Sequence, residues 1–221
     1  MPFLEFLDPG LAESGLVALG GDLHPETLLK AYRQGIFPWP HPGLPLAWFS
    51  PPERAILERG RLRINKSLDK ARRRSRLRFT IDQAFPQVIA ACARMPRPGQ
   101  DGTWITPPML RAYRELHRLG HAHSVEAWNP DTGELVGGIY GVDPGGAFAA
   151  ESMFYLEPYA SKLALLHLIE HFFGRGLDWI DIQVMTPHME ALGAELISRK
   201  RFLARLAESL THGLRLFSAP P

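Results

Sequence analysis

The stretch HSVEAWNPDTGELVGGIYGVDPGGAFAAESMF, His123 to Phe154, decides the fold. Three runs, HSVEAW, LVGGIYGV and AFAAESMF, read as strands. The links NPDTGE and DPGG between them are hairpin connections, so the three strands form an antiparallel meander. The third run carries a contradiction. Phe148, Ala150, Met153 and Phe154 suggest a strand heading for the interior, yet Glu151 sits in its middle. A buried carboxylate is costly unless something pairs with it.

Outward from the meander the order of elements is legible. Before it come a strand LRFTI, a helix with Phe85, Val88, Ile89 and Cys92 on one face, and a second helix opened by Thr106 and Pro107 with Met109, Ala112, Tyr113 and Leu116 on one face. After it come a helix from about Pro158 to Arg175, stopped by Gly176, and a short apolar strand within LDWIDIQV. The order β-α-α-β-β-β-α-β-α predicts an α+β domain, a mixed sheet with helices on its faces. It resembles the order of the GNAT (N-acetyltransferase) fold. Ahead of this domain, DLHPETLLKAYRQG reads as a short helix with Pro25 in its first turn and Gly35 as its stop. The proline-rich path IFPWPHPGLPLAWFSPPERA that follows excludes regular helix. Residues 1–55 therefore form a small N-terminal domain, and 56–221 a GNAT-like catalytic domain.

With 221 residues, 45% hydrophobic and 22% charged, the chain is long and apolar enough to bury a core and is not a disordered one. The single Cys92 excludes an internal disulfide. No charged-then-apolar leader and no apolar run of about 18 residues is present, so the expectation is a cytoplasmic protein. Nothing demands an interface, and a monomer is expected.

The net charge of +2 conceals an asymmetry. Between Arg59 and Arg78 ten Lys or Arg face Asp69 alone, giving +9 and leaving −7 for the rest. Such a segment suits a polyanion through phosphate neutralisation and counterion release, or is a solvated basic helix.

Three chemical candidates follow. An acyl-CoA transferase of the GNAT class holds pyrophosphate on a loop of the form Q/R-x-x-G-x-G/A at a helix start. No Arg or Gln stands three residues before any of the twenty glycines, which argues against CoA. HLIEH, His167 to His171, fits the inverted H-x-x-E-H spacing of some zinc peptidases but equally suits an amphipathic helix. His117, His121 and His123 read as surface and loop histidines, since Gly120 interrupts any shared helix face. The third candidate is acidic. Glu151 and Asp181 lie in apolar strands that the crossover helix brings side by side, and Gln183 shares a face with Asp181. They are either a structural network or two groups of one site.

Several segments together resemble one family, the bacterial leucyl/phenylalanyl-tRNA-protein transferases: GLVALGGDLHPETLLKAYRQGIFPW with WFSPPERAIL, TWIT with AYRELHRLGHAHSVEAW, LVGGIYGV, ESMF with ASKLALL, and IDIQV with PHMEALGAELISR. They run in order from residue 15 to about 202. Ala150 stands where the family usually has Gly, and Ile182 where Cys is often found, so no thiol chemistry is expected. The resemblance implies transfer of Leu or Phe, less well Met, from aminoacyl-tRNA to proteins beginning with Arg or Lys, marking them for degradation by the bacterial N-degron pathway, with neither CoA, metal nor any other cofactor. It further implies that Trp39 and Trp104 hold the terminal adenosine and that Ile139, Phe148, Met153, Leu165, Leu168, Phe172 and Ile180 form the pocket for the donor side chain. Asp181, Gln183 and Glu151 become the catalytic candidates, Asp181 as base or as orienter of the attacking amine. Glu151 is then expected to face a cationic substrate group. The runner-up is an RNA-binding module without catalysis, which needs only the basic segment and the aromatics.

Overall fold

The computed structural model describes residues 4–41, 43–96 and 104–217; Pro42 of the proline-rich path and Thr103 of TWIT lie outside them. Among the described residues the strands form two sheets. The smaller has the order β1-β3-β2, from β1 (Leu16–Leu19), β2 (Phe37–Trp39) and β3 (Ala47–Phe49), with α1 (Pro25–Arg33) between β1 and β2. Pro25 fixes the first turn of α1, and the chain leaves that helix through Gly35 at φ 70°.

After β3 the chain passes directly into β4 (Glu53–Glu58) of the larger sheet. Next come α2 (Lys66–Arg74), β5 (Arg78–Ile81), α3 (Phe85–Arg94), α4 (Pro107–Arg118) and the meander β6 (Ala122–Trp128), β7 (Leu135–Val142) and β8 (Ala149–Tyr155). The chain ends through α5 (Ala160–Phe173), β9 (Trp179–Gln183), α6 (Pro187–Ala191), β10 (Glu195–Ser198) and α7 (Arg199–His212). The strand order is β10-β4-β9-β8-β7-β6-β5. Every neighbouring pair is antiparallel except β8 and β9, which α5 joins in parallel. The expected α+β architecture with a mixed sheet and a small N-terminal unit is thus present.

Two buried clusters flank the large sheet. One contains Leu165, Leu168 and Phe172 of α5 with Phe202 and Leu206 of α7. The other joins Leu28, Phe37 and Trp48 of the small unit to Phe85, Val88, Met109 and Tyr113 of α3 and α4, so the small unit is packed onto the larger through a shared core. Cys92 is fully buried there, as a small hydrophobe. His123 departs from the surface placement expected for it: it is 4% exposed, pairs its Nδ1 with Asp82 at 2.7 Å and stacks on Phe217. Its strand, β6, is buried along its length from Ala122 to Ala127, so side chains on both of its faces are covered.

The meander closes tightly at Gly141. A Cβ there would lie 2.3 Å from the Ala149 carbonyl oxygen and 2.5 Å from the Phe148 ring. Gly141→Ala is expected to lower the melting temperature by about 2–12 °C, the effect of roughly 1–3 kcal/mol of overpacking in a chain of this size, read by thermal unfolding.

Candidate active site

The sheet is interrupted at its centre. β8 and β9 share a single paired position, Ala149 with Asp181, where the Asp181 N–H donates to the Phe148 carbonyl at 3.0 Å. Each strand then breaks register on its outer side. Against β7 the pairing steps from Gly141–Ala150 to Tyr140–Ser152, which leaves Glu151 as the extra residue of a bulge. Against β4 it steps from Ile56–Asp181 to Ala55–Gln183, which leaves Ile182 extra. A bulge turns a side chain away from the face that alternation would give it. This resolves the contradiction in AFAAESMF: Glu151 is turned into the opening between the parting strands.

Two hydrogen bonds meet on one oxygen of Glu151. The Tyr32 hydroxyl donates to Oε1 at 2.7 Å and the Gln183 Nε2 amide at 2.6 Å. Tyr32 shares a 2.5 Å hydrogen bond with Tyr113, both buried. Among the described residues Oε2 has no hydrogen-bond partner, and Glu151 remains partly exposed to the cleft. Burial raises its pKa from 4.5 to about 7, with the Asp181 charge adding to the rise and the Tyr32 and Gln183 hydrogen bonds and Arg54 opposing it. Burial, and next the Glu151 charge, also hold the Tyr32 and Tyr113 hydroxyls well above the ordinary phenol value.

Asp181 is engaged differently. Its two oxygens receive Nε and Nη2 of Arg54 at 2.8 and 2.7 Å, and both side chains are buried. Oδ1 also accepts the backbone N–H of Gln183 at 2.9 Å. That hydrogen bond closes a turn in which Gln183 has φ 61°, a left-handed conformation rare outside Gly, Asn and Asp. Arg54 and Asp181 thereby hold the kink that aims the Gln183 amide at Glu151. Sequence reasoning missed Arg54. It lies 127 positions from its partner, in a short strand that begins directly after two prolines, and no local pattern joins them.

The opening has two chambers that share Glu151, Ile182, Val184 and Thr186. One, of about 200 Å³, is walled by Phe37, Pro38, Trp39 and Trp104 and includes Gln183. The other, of about 390 Å³, is walled by Met95, Ile139, Met153 and Met189 with His188 at its rim. The two tryptophans inferred from the resemblance therefore share a chamber with both Glu151 and Gln183. Of the seven residues inferred for the donor pocket, Ile139 and Met153 line the second chamber. Phe148, Leu165, Leu168, Phe172 and Ile180 are packed into the closed core beneath α5, with Phe148 and Phe172 rings 4.9 Å apart. Met95, Ile182 and Met189 line the wall instead, and no period in the sequence marks them as sharing one surface.

The remaining candidates have other partners. His167 stacks on Phe79, and His171 bonds the Leu216 carbonyl through Nε2 at 2.7 Å. Among the described residues no group of three or more His, Cys, Asp or Glu side chains could hold a metal ion. All ten cations from Arg59 to Arg78 are exposed. Arg61, Arg72, Arg73 and Arg76 reach acidic partners, whereas Arg63, Lys66, Lys70 and Arg74 reach none among the described residues. No described helix is long and apolar enough to cross a membrane.

Comparison with known proteins bears directly on this site. Residues 56–207 match the leucyl/phenylalanyl-tRNA protein transferase model, and residues 21–52 match the model of that family's N-terminal domain. The chain belongs to the leucyl/phenylalanyl-tRNA protein transferase family. It is accordingly an aminoacyltransferase. Among similar relatives, the leucyl/phenylalanyl-tRNA–protein transferase of Anaeromyxobacter sp. (strain Fw109-5) is 51% identical over 94% of this chain and 88% of its own length. That of Myxococcus xanthus (strain DK1622) is 50% identical over 92% and 86%, and that of Shewanella sp. (strain W3-18-1) 48% over 94% and 85%. As a transferase of this family it has its candidate chemistry at the two bulges, inside the span matched by the larger model.

Proposed function

We propose that the protein moves Leu or Phe, and less well Met, from aminoacyl-tRNA to the α-amino group of proteins beginning with Arg or Lys. The product then carries an N-terminal residue that commits it to degradation. The observation that carries this reading is the position of Glu151, a half-freed carboxylate between a two-tryptophan chamber and an apolar one. The terminal adenosine of the donor stacks against Trp39 and Trp104, and its side chain lies along Met95, Ile139, Met153 and Met189. Methionine walls adapt to both a branched and a flat side chain. This arrangement sets the ester beside Glu151 and Gln183.

The reaction is mild. The acceptor amine attacks the ester carbonyl, a C–N bond forms, the C–O bond to the ribose breaks, and the proton passes to the released ribose hydroxyl through solvent or a neighbouring group. An α-amino group titrates near pH 8, so a useful fraction is neutral at cellular pH, and positioning supplies most of the acceleration. Ionised Glu151 attracts the cationic acceptor end. The Gln183 amide fixes that carboxylate, and Asp181 acts through Gln183 as a positioning residue. The element order and the parting of β8 from β9 support a GNAT-like reading of the large sheet. A reaction that consumes charged tRNA belongs in the cytoplasm and requires only one copy of this chain.

Incubation with radiolabelled Leu-tRNA and an Arg-initiated protein tests the reading: label is expected at the protein's N-terminus, and its retention on RNA alone would mark a binding module without transfer. Trp39→Ala and Trp104→Ala are each expected to raise the apparent KM for the donor roughly five- to hundredfold, the worth of one stacked base. A rise in the acceptor's KM alone would contradict the stacking role.

A further inference from the structure

A groove adjoins the apolar chamber and shares no lining residue with the tryptophan chamber. Met153 and His188 line both the chamber and this groove, of about 580 Å³, whose other walls include Tyr155, Tyr159 and Lys162. Pro158 and Tyr159 line in turn a third hollow of about 320 Å³, which also holds Arg74 and Arg76 at the end of the basic segment, together with Asp131, the partner of Arg76, and Glu157. Through these shared walls the three hollows adjoin one another in a track between the +9 segment and Glu151.

The walls of this track have the chemistry of a single-stranded RNA path. Tyr155 is 56% and Tyr159 37% exposed, unusual for aromatic side chains that serve only packing. Tyr159 stands with φ 67°, a left-handed conformation costly for a bulky residue, and Lys162 Nζ lies 5.8 Å from its ring centroid. Ring and ammonium therefore stand together in the groove, with the ring also lining the outer hollow. The His188 Nε2, where groove meets chamber, is buried without a hydrogen-bond partner among the described residues. Exposed aromatic faces stack bases without regard to sequence, and a cation beside them neutralises the backbone phosphate.

We infer that this groove holds the nucleotides preceding the terminal adenosine of the donor RNA, with a base on Tyr159 and a phosphate on Lys162. The inference rests on the proposed function and extends it from the last nucleoside to the strand behind it. An RNA strand is favoured over the acceptor polypeptide because Lys162 lines the groove and the hollow beyond it holds Arg74, which reaches no acidic partner among the described residues and belongs to a segment of net charge +9. The acceptor described above begins with a cation that those charges repel.

Two donors decide it: intact Leu-tRNA, and 3′-leucyl-adenosine, which has the terminal nucleoside and ester but no preceding nucleotide. For Lys162→Glu and for Tyr159→Gly, whose glycine accepts the left-handed conformation, the apparent KM for Leu-tRNA is expected to rise about tenfold or more. The KM for leucyl-adenosine is expected to shift by less than about twofold, a result that also reports intact folding. Lys162→Arg and Tyr159→Phe keep the wild-type preference for tRNA. The salt dependence of the Leu-tRNA KM should weaken by roughly 0.7 in its logarithmic slope for Lys162→Glu, as for the loss of one phosphate contact. Equal effects on both donors overturn the inference. So does a rise confined to the acceptor's KM, which would place the polypeptide in the groove. Absence of transfer by the wild-type protein overturns the functional reading and the groove with it, whereas normal wild-type transfer with donor-independent variant effects overturns the groove alone.

Discussion

Arg54→Ala is expected to lower the melting temperature by about 6–20 °C, because truncating one partner of a buried ion pair costs roughly 3–5 kcal/mol and each kcal/mol moves a chain of this size by about 2–4 °C. The Arg54 guanidinium is 1% exposed and lies 4.6 Å from the Phe37 ring centroid and 4.5 Å from that of Phe202. It also donates to the Gly35 carbonyl at 3.2 Å. One side chain therefore ties the small unit, β4, β9 and α7 together, and its removal leaves the Asp181 charge uncompensated. Loss of transfer in Asp181→Ala is for the same reason ambiguous, since Arg54 is then the stranded charge. The pair Arg54→Met with Asp181→Leu separates the two effects. Thermal unfolding of that double variant is expected to recover most of the lost stability, because apolar replacement of a buried pair is often neutral. Transfer stays low, since the Gln183 N–H no longer has the acceptor that holds its left-handed turn. Full transfer by a stable double variant would show that the carboxylate's hold on Gln183 is dispensable.

Glu151→Gln is expected to lower kcat/KM for an Arg-initiated acceptor about 10- to 100-fold at pH 8, the worth of one hydrogen bond to a charged group. The loss depends on pH. With a pKa of about 7, the wild-type carboxylate is mostly protonated at pH 6 and attracts a cation weakly. Wild-type transfer should therefore climb through pH 7 and again as the acceptor amine loses its proton near pH 8, whereas Glu151→Gln keeps only the second rise. Stability runs the other way. Between pH 4.5 and about 7 the native protein keeps a proton that the unfolded chain has released, so its stabilising contribution is complete below 4.5 and is lost as pH rises to 7. In Glu151→Gln the corresponding slope of stability against pH disappears, which melts taken at pH 5 and pH 8 would reveal.

The parts of this fold legible in the sequence were those set by local chemistry. The hairpin links around Pro130 and Pro144, the Thr106 cap of α4 and the apolar stripes of α3 and α4 are each written within a dozen residues. The helix after the meander was read as about Pro158 to Arg175 but runs from Ala160 to Phe173, because the left-handed Tyr159 starts it late. Glu151 and Gln183 were legible as polar residues out of place in apolar strands, and they do meet. The bulges that bring them together were not legible, since a bulge is set by the register of a partner strand. Arg54 was hidden for a related reason: a charged residue beside prolines reads as surface, and its burial depends on Asp181, Phe37 and Phe202 arriving from three other elements.

For this chemistry amine and ester must meet in the opening between β8 and β9. Single-turnover transfer of radiolabelled Leu from Leu-tRNA to an Arg-initiated protein, compared between the wild-type protein and Gln183→Ala, tests this most directly, because Gln183 touches Glu151 and stands outside the Arg54–Asp181 pair. The expected result is N-terminal label with the wild type and a rate about 10- to 100-fold lower in a variant that still folds. Wild-type transfer by Gln183→Ala would contradict it.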